Sequence, residues 1–247
     1  MPSEFSSLKT LPEKLFYKGH PSLLNARKVS IVGSRKAYAY SRQVSTRLAS
    51  ELSKRGVCVV SGGAMGIDAV VHEAAFPNTI AVLANGLDII YPKVNKKLLA
   101  KICEEGLLLS EYEDGTKARA YSFVHRNRLV VALGEVLVVA QADLNSGSMR
   151  SVEFALEMGK KIYVLPHRFG ESEATMQLLD EGKAELITNI KAFADNFGEV
   201  QEEGDSFLHF CSSFVTYEEA LAFDCEKLFE YELSGKIKIL NGKVIVI

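Results

Sequence analysis

The chain has 247 residues, 47% of them hydrophobic, and its formal net charge at pH 7 is −2. This length and composition exclude a disordered chain and suffice for one large domain with a smaller second one. The small net charge by itself indicates no particular class of partner.

Short apolar runs alternate with longer segments of helical periodicity, which is the pattern of strand-helix-strand units. We predict seven strands: Val29–Val32, Val57–Val60, Thr79–Leu83, Leu107–Leu109, Val136–Ala140, Ile162–Leu165 and Glu185–Ile187. Helices are predicted at Tyr38–Arg55, Ile67–Ala75, Asn95–Glu104, Phe123–Leu133, Ser148–Met158 and Ala174–Glu181. The sequence therefore predicts an α/β fold, a mostly parallel sheet with helices on both faces.

The polar, acidic stretch NFGEVQEEGDS predicts a domain boundary. We predict a first domain at residues 1–197, a linker at 198–206 and a small second domain at 207–247. The second domain has two predicted helices, followed by a hairpin with its turn at Asn241–Gly242, and it should be winged-helix-like.

Residues 1–197 hold 25 basic and 21 acidic side chains, whereas residues 198–247 hold 4 basic and 10 acidic side chains. The first domain is thus better suited to a polyanion.

Four loops that follow predicted strands are rich in glycine, serine or arginine. They are GSR (Gly33–Arg35), SGGAMGID (Ser61–Asp68), ANGLDIIYP (Ala84–Pro92) and NSGSMRS (Asn145–Ser151). The carboxyl ends of parallel strands lie along one edge of a sheet, so these loops should lie there together. Glycine allows close approach of the backbone, while hydroxyl groups and helix N-termini attract anions. The pattern favours an extended anion as ligand over the alternative that the loops are only tight turns.

The segment YSFVHRNRLVVALGE places Arg126 and Arg128 on either side of Asn127, near the predicted start of an apolar helix. Positive side chains at a helix N-terminus oppose the helix dipole unless an anion binds nearby, which favours a bound phosphate. Phe123 either stacks on a base or belongs to the core.

Motifs of several other functions are missing. The chain has no G-x-G-x-x-G after its first predicted strand, no G-K-[ST] and no G-x-S-x-G, which argues against a dinucleotide cofactor, an NTPase and a serine hydrolase. The carboxylates near strand ends form no evident catalytic pair. Asp68 is better explained as a helix cap or a favourable charge in the first turn. We expect no cofactor and no catalysis.

Nothing in the sequence indicates export, membrane insertion or metal binding. The first ten residues, MPSEFSSLKT, lack a signal region, and the apolar runs are far shorter than the roughly 18 residues of a membrane span. We expect a cytoplasmic protein. The four cysteines lack ligand spacing and are expected in the core: Cys58, Cys103, Cys211 and Cys225.

Six stretches occur in a characteristic order: FYKGHPSLL, KVSIVGSR, SGGAMGID, NGLDIIYP, FVHRNRL and SGSMRSVEFALEMGK. Together they resemble the DNA processing protein A family of bacteria, also called DprA or Smf, from about Leu15 to Ile187. The resemblance implies an extended Rossmann fold that dimerises and binds single-stranded DNA without catalysis. It also implies protection of incoming strands during natural transformation and the loading of RecA onto them.

The same resemblance implies which residues line the DNA-binding groove: Gly33, Ser34, Arg35, Ser61, Gly62, Gly63, Gly66, Arg126, Asn127, Arg128, Ser146, Gly147 and Ser148. Too few residues precede the first predicted strand for the family's N-terminal helical domain, which we expect to be missing.

Two further hypotheses remain open. A nucleoside-monophosphate phosphoribohydrolase of the lysine-decarboxylase-like fold would use Glu153, although SGSMRSVE lacks the paired glycines of the P-G-G-x-G-T phosphate loop. Alternatively, the acidic second domain docks another protein, and DNA binding is confined to the first domain.

Overall fold

A computed structural model describes residues 2–200, 206–212 and 215–247. The chain divides into two compact units, Met1–Val200 and Gln201–Ile247. The linker predicted at 198–206 falls largely on residues 201–205, which lie outside the described residues. The predicted domain bounds therefore stay a prediction.

The first unit contains an eight-stranded sheet. Its strands are β1 (Phe16–Gly19), β2 (Lys28–Val32), β3 (Cys58–Ser61), β4 (Thr79–Leu83), β5 (Leu107–Ser110), β6 (Leu137–Val139), β7 (Ile162–Val164) and β8 (Glu185–Leu186). The order across the sheet is β1-β5-β4-β3-β2-β6-β7-β8, and only β1 runs antiparallel to its neighbour. The predicted strands are confirmed to within one residue at each end. β1 was not predicted, since it is a mostly exposed edge strand without an apolar run.

Helices cover both faces of this sheet. They are α1 (Ala39–Ser53), α2 (Ile67–Ala75), α3 (Lys96–Glu105), α4 (Ala120–Leu133), α5 (Gly147–Glu157), α6 (Glu173–Asp180) and α7 (Ile190–Asp195). Alternate strand residues point to opposite faces. Val138 packs in a core with α1, α2 and α7, whereas Val139 packs in a core with α4, α5 and α6. The predicted α/β fold is confirmed.

The strand order reverses at the centre of the sheet, between β2 and β6. From β2 the chain builds outward through β3 and β4 to β5, and it then returns to start β6 on the other side of β2. A crevice outside the carboxyl ends of the strands at such a reversal is where open α/β sheets bind ligands. The loops after β2 and β6 meet there, because Ser34 N–H donates to the Gln141 carbonyl (2.9 Å).

The second unit consists of helices followed by a hairpin. The elements are α8 (Ser206–Cys211), α9 (Tyr217–Phe223), α10 (Cys225–Leu233), β9 (Ile237–Leu240) and β10 (Lys243–Val246). Asn241 and Gly242 have φ of 52° and 73°, as a two-residue hairpin turn of the primed type requires. The small winged-helix-like module is confirmed, although three helices are described where two were predicted. Phe207, Leu228 and Val244 belong to a core of its own.

The cysteines differ in burial. Cys58 and Cys211 are buried as expected and Cys103 is half-buried, but Cys225 is exposed at the start of α10, so the expectation of a core position is wrong for Cys225. Within residues 2–200, 206–212 and 215–247, none of the helices combines the length and the apolar character that a bilayer crossing requires.

Candidate nucleic-acid interface

The loop after β2 lies directly against the start of α2. Ile67 N–H donates to the Ser34 carbonyl (3.2 Å). A Cβ on Gly33 would lie 2.6 Å from the Ile67 side chain, and a Cβ on Gly66, whose φ is +80°, would overlap the backbone of Ser34 and Arg35. Only glycine permits both contacts. The first two glycine-containing loops therefore form one packed unit.

Asp68 holds the loop after β3 in place. Its Oδ2 accepts hydrogen bonds from Gly62 N–H (3.1 Å) and Ala64 N–H (3.3 Å). Asp68 is in the first turn of α2, as expected, and its burial raises the pKa of the carboxyl group. Ser61 is also buried, and its hydroxyl donates to the Ile31 carbonyl (2.7 Å). The Gly62 and Ala64 amides and the Ser61 hydroxyl belong to the loop that was predicted to bind a phosphate, yet they already have partners inside the protein.

Arg126 is buried in the middle of its helix. Because α4 begins at Ala120, the argument that Arg126 opposes the dipole at a helix start is wrong. Its guanidinium donates to the carbonyls of Gly62 and Val82, and its Nε donates to Asn127 Oδ1 (3.1 Å). Burial lowers the pKa of Arg126 to about 10. Arg126 therefore links the loop after β3 to the carboxyl end of β4.

Arg128 is buried one half-turn further along α4. Its Nη2 donates to Glu111 Oε2 (2.6 Å) and lies 2.8 Å from His125 Nε2. Its Nε and Nη1 have no hydrogen-bond partner within the part of the chain that the structure describes. Arg128 thus pairs with an internal carboxylate, and most of its charge is balanced there.

Arg35 differs from both of these arginines. It is exposed at the mouth of a crevice, and its guanidinium carbon lies 5.4 Å from the centre of the Phe123 ring. The ring of Tyr91 lies 5.5 Å from that of Phe123. No carboxylate within the described residues forms an ion pair with Arg35. The crevice combines a free cation with two aromatic rings, and its walls also include Gly62, Gly63, Met65 and Arg126.

Two crevice residues, Tyr91 and Met65, were not predicted as site residues. Tyr91 is 46% exposed and Met65 is 44% exposed, which is high for large apolar side chains. Both belong to loops that the sequence had singled out, ANGLDIIYP and SGGAMGID. The signal that could have identified them is a large apolar side chain within a glycine-containing loop that follows a strand.

The loop after β6 contacts α4 next to the crevice residue Arg126. Asn127 Nδ2 donates to the Gly147 carbonyl at the start of α5 (3.3 Å). Gly147 is exposed and Ser148 is buried. The Ser146 hydroxyl is buried and has no partner within residues 2–200, 206–212 and 215–247.

The structure therefore places the predicted site residues at one edge of the sheet but in different roles. Four of their side chains are buried: Ser61, Arg126, Arg128 and Ser148. Four glycines are packed at loop contacts: Gly33, Gly62, Gly63 and Gly66. The others are accessible at the surface, fully or in part: Ser34, Arg35, Phe123, Asn127, Ser146 and Gly147.

The family model of DNA recombination-mediator protein A matches residues 1–198. The chain belongs to this family. The resemblance inferred from six short motifs is confirmed, and the match extends beyond the stretch that carried them. The second unit lies outside the matched residues.

Individual relatives agree with this assignment. The DNA processing protein DprA of Streptococcus pneumoniae is 38% identical over 193 residues, which are 76% of this chain and 68% of that protein. The putative DNA processing protein DprA of Mycobacterium tuberculosis is 38% identical over 181 residues, 71% of this chain and 46% of that protein. The chain thus spans between about half and two thirds of the length of these relatives.

A solved structure of DNA processing protein A from Helicobacter pylori is similar with a TM-score of 0.78 and 44% identity. The similarity covers 79% of this chain and 92% of that one. The H. pylori protein is described as having a unique single-stranded DNA binding mode.

Proposed function

We propose that this protein binds single-stranded DNA by its sugar-phosphate backbone, in the crevice outside β2, β3 and β4. The observation that carries the proposal is Arg35, an exposed guanidinium without an ion pair in the described chain, placed over Phe123 and beside Tyr91. A cation that tracks phosphates and aromatic rings that stack on bases are the two components of single-strand binding sites. The binding mode described for the H. pylori relative supports this choice of ligand.

Phosphate contacts predict how the binding should behave. They carry no sequence information, so base preference should be weak. Each neutralised phosphate releases counterions, so affinity should fall steeply with salt concentration. Exposed cations near the same edge of the sheet, Lys36, Lys117 and Arg119, extend the positive surface beyond Arg35.

We propose that the protein acts without catalysis. Glu153, the carboxylate of the phosphoribohydrolase alternative, is exposed on α5 and pairs with Arg150 (2.8 Å). An exposed ion pair of this kind is weak and screened by water. It has none of the burial that usually tunes a catalytic carboxylate.

We further propose that the protein is a cytoplasmic homodimer, protects incoming strands during natural transformation and helps to load RecA. Family membership supports this role in DNA processing and recombination. The second unit, with its acidic excess, is proposed as a protein-docking module rather than a DNA-binding one.

The test is fluorescence anisotropy with labelled oligothymidylate and with duplex DNA over a salt series. Arg35→Ala should weaken binding to every single strand about tenfold and reduce the salt slope by about 1. Arg47→Ala is the matched control, because Arg47 is an exposed arginine in the second half of α1 and does not line the crevice. Unchanged affinity of Arg35→Ala would remove Arg35 from the site. Adenine released from AMP would support the phosphoribohydrolase instead.

A further inference from the structure

The loop after β7 presents one aromatic ring that nothing in the chain covers. Phe169 is 98% exposed, although phenylalanine is normally among the more buried residues. A Cβ on the next residue, Gly170, would have no atom within 4 Å, so the space around the tip of this loop is open. We call residues 166–172 the β7 loop.

The β7 loop is anchored at both ends on the segment that follows β6. His167 Nε2 lies at hydrogen-bond distance from the Ala140 carbonyl (2.8 Å), and Ala142 N–H donates to the Ser172 hydroxyl (2.9 Å). Between these anchors the chain makes a tight turn. Glu171 N–H donates to the Arg168 carbonyl (3.0 Å).

Gly170, within this turn, has φ of +81°, as glycine does at the third position of a type II turn. Phe169 therefore stands at the tip of a closed turn. Its exposure is built into the fold of the loop.

These anchors place the β7 loop beside the switch point of the sheet. Gln141, which lies between the two anchor residues, accepts a hydrogen bond from Ser34 N–H and, through its side chain, from Tyr38 N–H (3.0 Å). Tyr40, on the first turn of α1, is 46% exposed and packs on His167 with ring centroids 6.4 Å apart. The β7 loop therefore packs beside the loop that carries Arg35, on the side away from Phe123.

Arg168 adds a positive charge to the tip. It is exposed and forms no ion pair within the described residues, while Glu171 and Glu173 follow it at the base of the loop and the start of α6. In a single strand every base is linked to a phosphate. An exposed arginine can contact the phosphate while the neighbouring aromatic ring stacks on the base.

We propose that Phe169 stacks on a base of the single strand where the strand leaves the crevice on the β7 side. The inference rests on the proposed function, because it requires a single strand in the crevice. It adds a second base contact, separated from the Phe123 and Tyr91 rings by the phosphate-binding loops. Stacking on an aromatic ring tolerates any base, in keeping with weak sequence preference.

A single tryptophan can report this contact, because the chain contains none. The emission of Phe169→Trp should be quenched by oligothymidylate and should saturate together with the anisotropy of the labelled strand. Tyr17→Trp is the control. Tyr17 is 58% exposed on β1, at the opposite end of the sheet, and its emission should not change.

Affinity provides the second readout. Phe169→Ala and Phe169→Leu should weaken binding by about fivefold to a hundredfold, whereas Phe169→Tyr should bind like the parent protein. Because the Phe169 ring is exposed, these substitutions should leave the fold unchanged.

The outcomes separate this inference from the proposed function. Full affinity of Phe169→Ala, in a protein whose binding still depends on Arg35, would overturn only the stacking role. Emission of Phe169→Trp that responds to protein concentration and not to oligothymidylate would assign the ring to a contact between copies of the chain, and it would also overturn the role. Absence of any strand binding by the parent protein would overturn both.

Discussion

Gly62 lies against the face of the Arg126 guanidinium. A Cβ placed on Gly62 would be 2.6 Å from Cζ, Nη1 and Nη2 alike, closer than any such contact in a packed protein. Arg126 cannot withdraw, because its guanidinium is buried and bonded to the carbonyls of Gly62 and Val82. The sequence predicted that Gly62 contacts a phosphate. The structure shows that Gly62 is needed for the packing of the buried Arg126.

We therefore expect Gly62→Ala to lower the free energy of unfolding by about 1–3 kcal/mol, as overpacking does. Urea denaturation measures the change. Gly147→Ala is the control from the same edge of the sheet, since a Cβ there has no atom within 4 Å; it should stay within about 0.5 kcal/mol of the parent. Equal stabilities of the two variants would contradict the packing role of Gly62.

Asp68 and Arg126 should depend on each other for stability. Asp68→Ala removes the acceptor of two loop amides and leaves a buried arginine without its neighbouring negative charge. We expect a loss of about 3–5 kcal/mol in the free energy of unfolding, by analogy with broken buried pairs. Addition of Arg126→Met should restore part of this loss, which a double-mutant cycle measures. The exposed Glu153→Ala should cost less than about 1 kcal/mol, and strictly additive losses at Asp68 and Arg126 would contradict the coupling.

His72 should make the stability depend on pH. Burial, aided by the positive charge of Arg126, lowers the pKa of His72 to about 3, and its Nδ1 is 2.7 Å from the Thr79 hydroxyl. The unfolded chain, with a histidine pKa of about 6.5, binds more protons than the folded one at pH values between the two pKa values. The free energy of unfolding should therefore fall as the pH decreases below about 6.5.

Urea midpoints of the parent and of His72→Gln at several pH values test this. His72→Gln should lose stability less steeply below pH of about 6.5, because glutamine does not titrate. The raised pKa of Asp68 acts in the opposite direction, since it adds stability as the pH falls, and it is present in both proteins. Parallel curves for the two proteins would show that His72 does not contribute.

The Phe123 and Tyr91 rings should share one role in strand binding. Each change to alanine should weaken binding of oligothymidylate by about fivefold to a hundredfold. The rings lie 5.5 Å apart, so the double variant should lose less than the product of the two effects. Anisotropy titrations measure this, with Tyr17→Ala as the exposed-aromatic control. Independent, multiplying effects would place the two rings at separate bases.

The first unit should bind single strands alone. It has its own buried cores on both faces of the sheet, so a chain that ends at residue 200 should fold. Its affinity for oligothymidylate should lie within about threefold of the full chain, since residues 198–247 hold 10 acidic and only 4 basic side chains. A loss greater than about tenfold would assign DNA contacts to the second unit.

The amino-acid sequence by itself determined the central strands, the glycine-rich loops at their ends and the family. Six of the seven predicted strands are largely buried, and buried parallel strands are local apolar runs, so these six and the Asn241–Gly242 turn could be predicted from neighbouring residues alone. β1 had no such signal, because a strand at the edge buries little and its pairing with β5 is formed across about 90 residues of chain.

Only the tertiary structure decided which polar groups are free to meet a ligand. Ser61 and Arg126 have the same chemistry in the sequence as Ser34 and Arg35, yet the first pair is buried and bonded to carbonyls, while Ser34 is half-buried and Arg35 is exposed at the crevice mouth. Arg126 donates to the carbonyls of Gly62 and Val82, which lie at the ends of other strands, far from Arg126 along the chain. A hydrogen-bonding group can serve a ligand only if the fold leaves it unsatisfied, and that depends on contacts between residues distant in sequence.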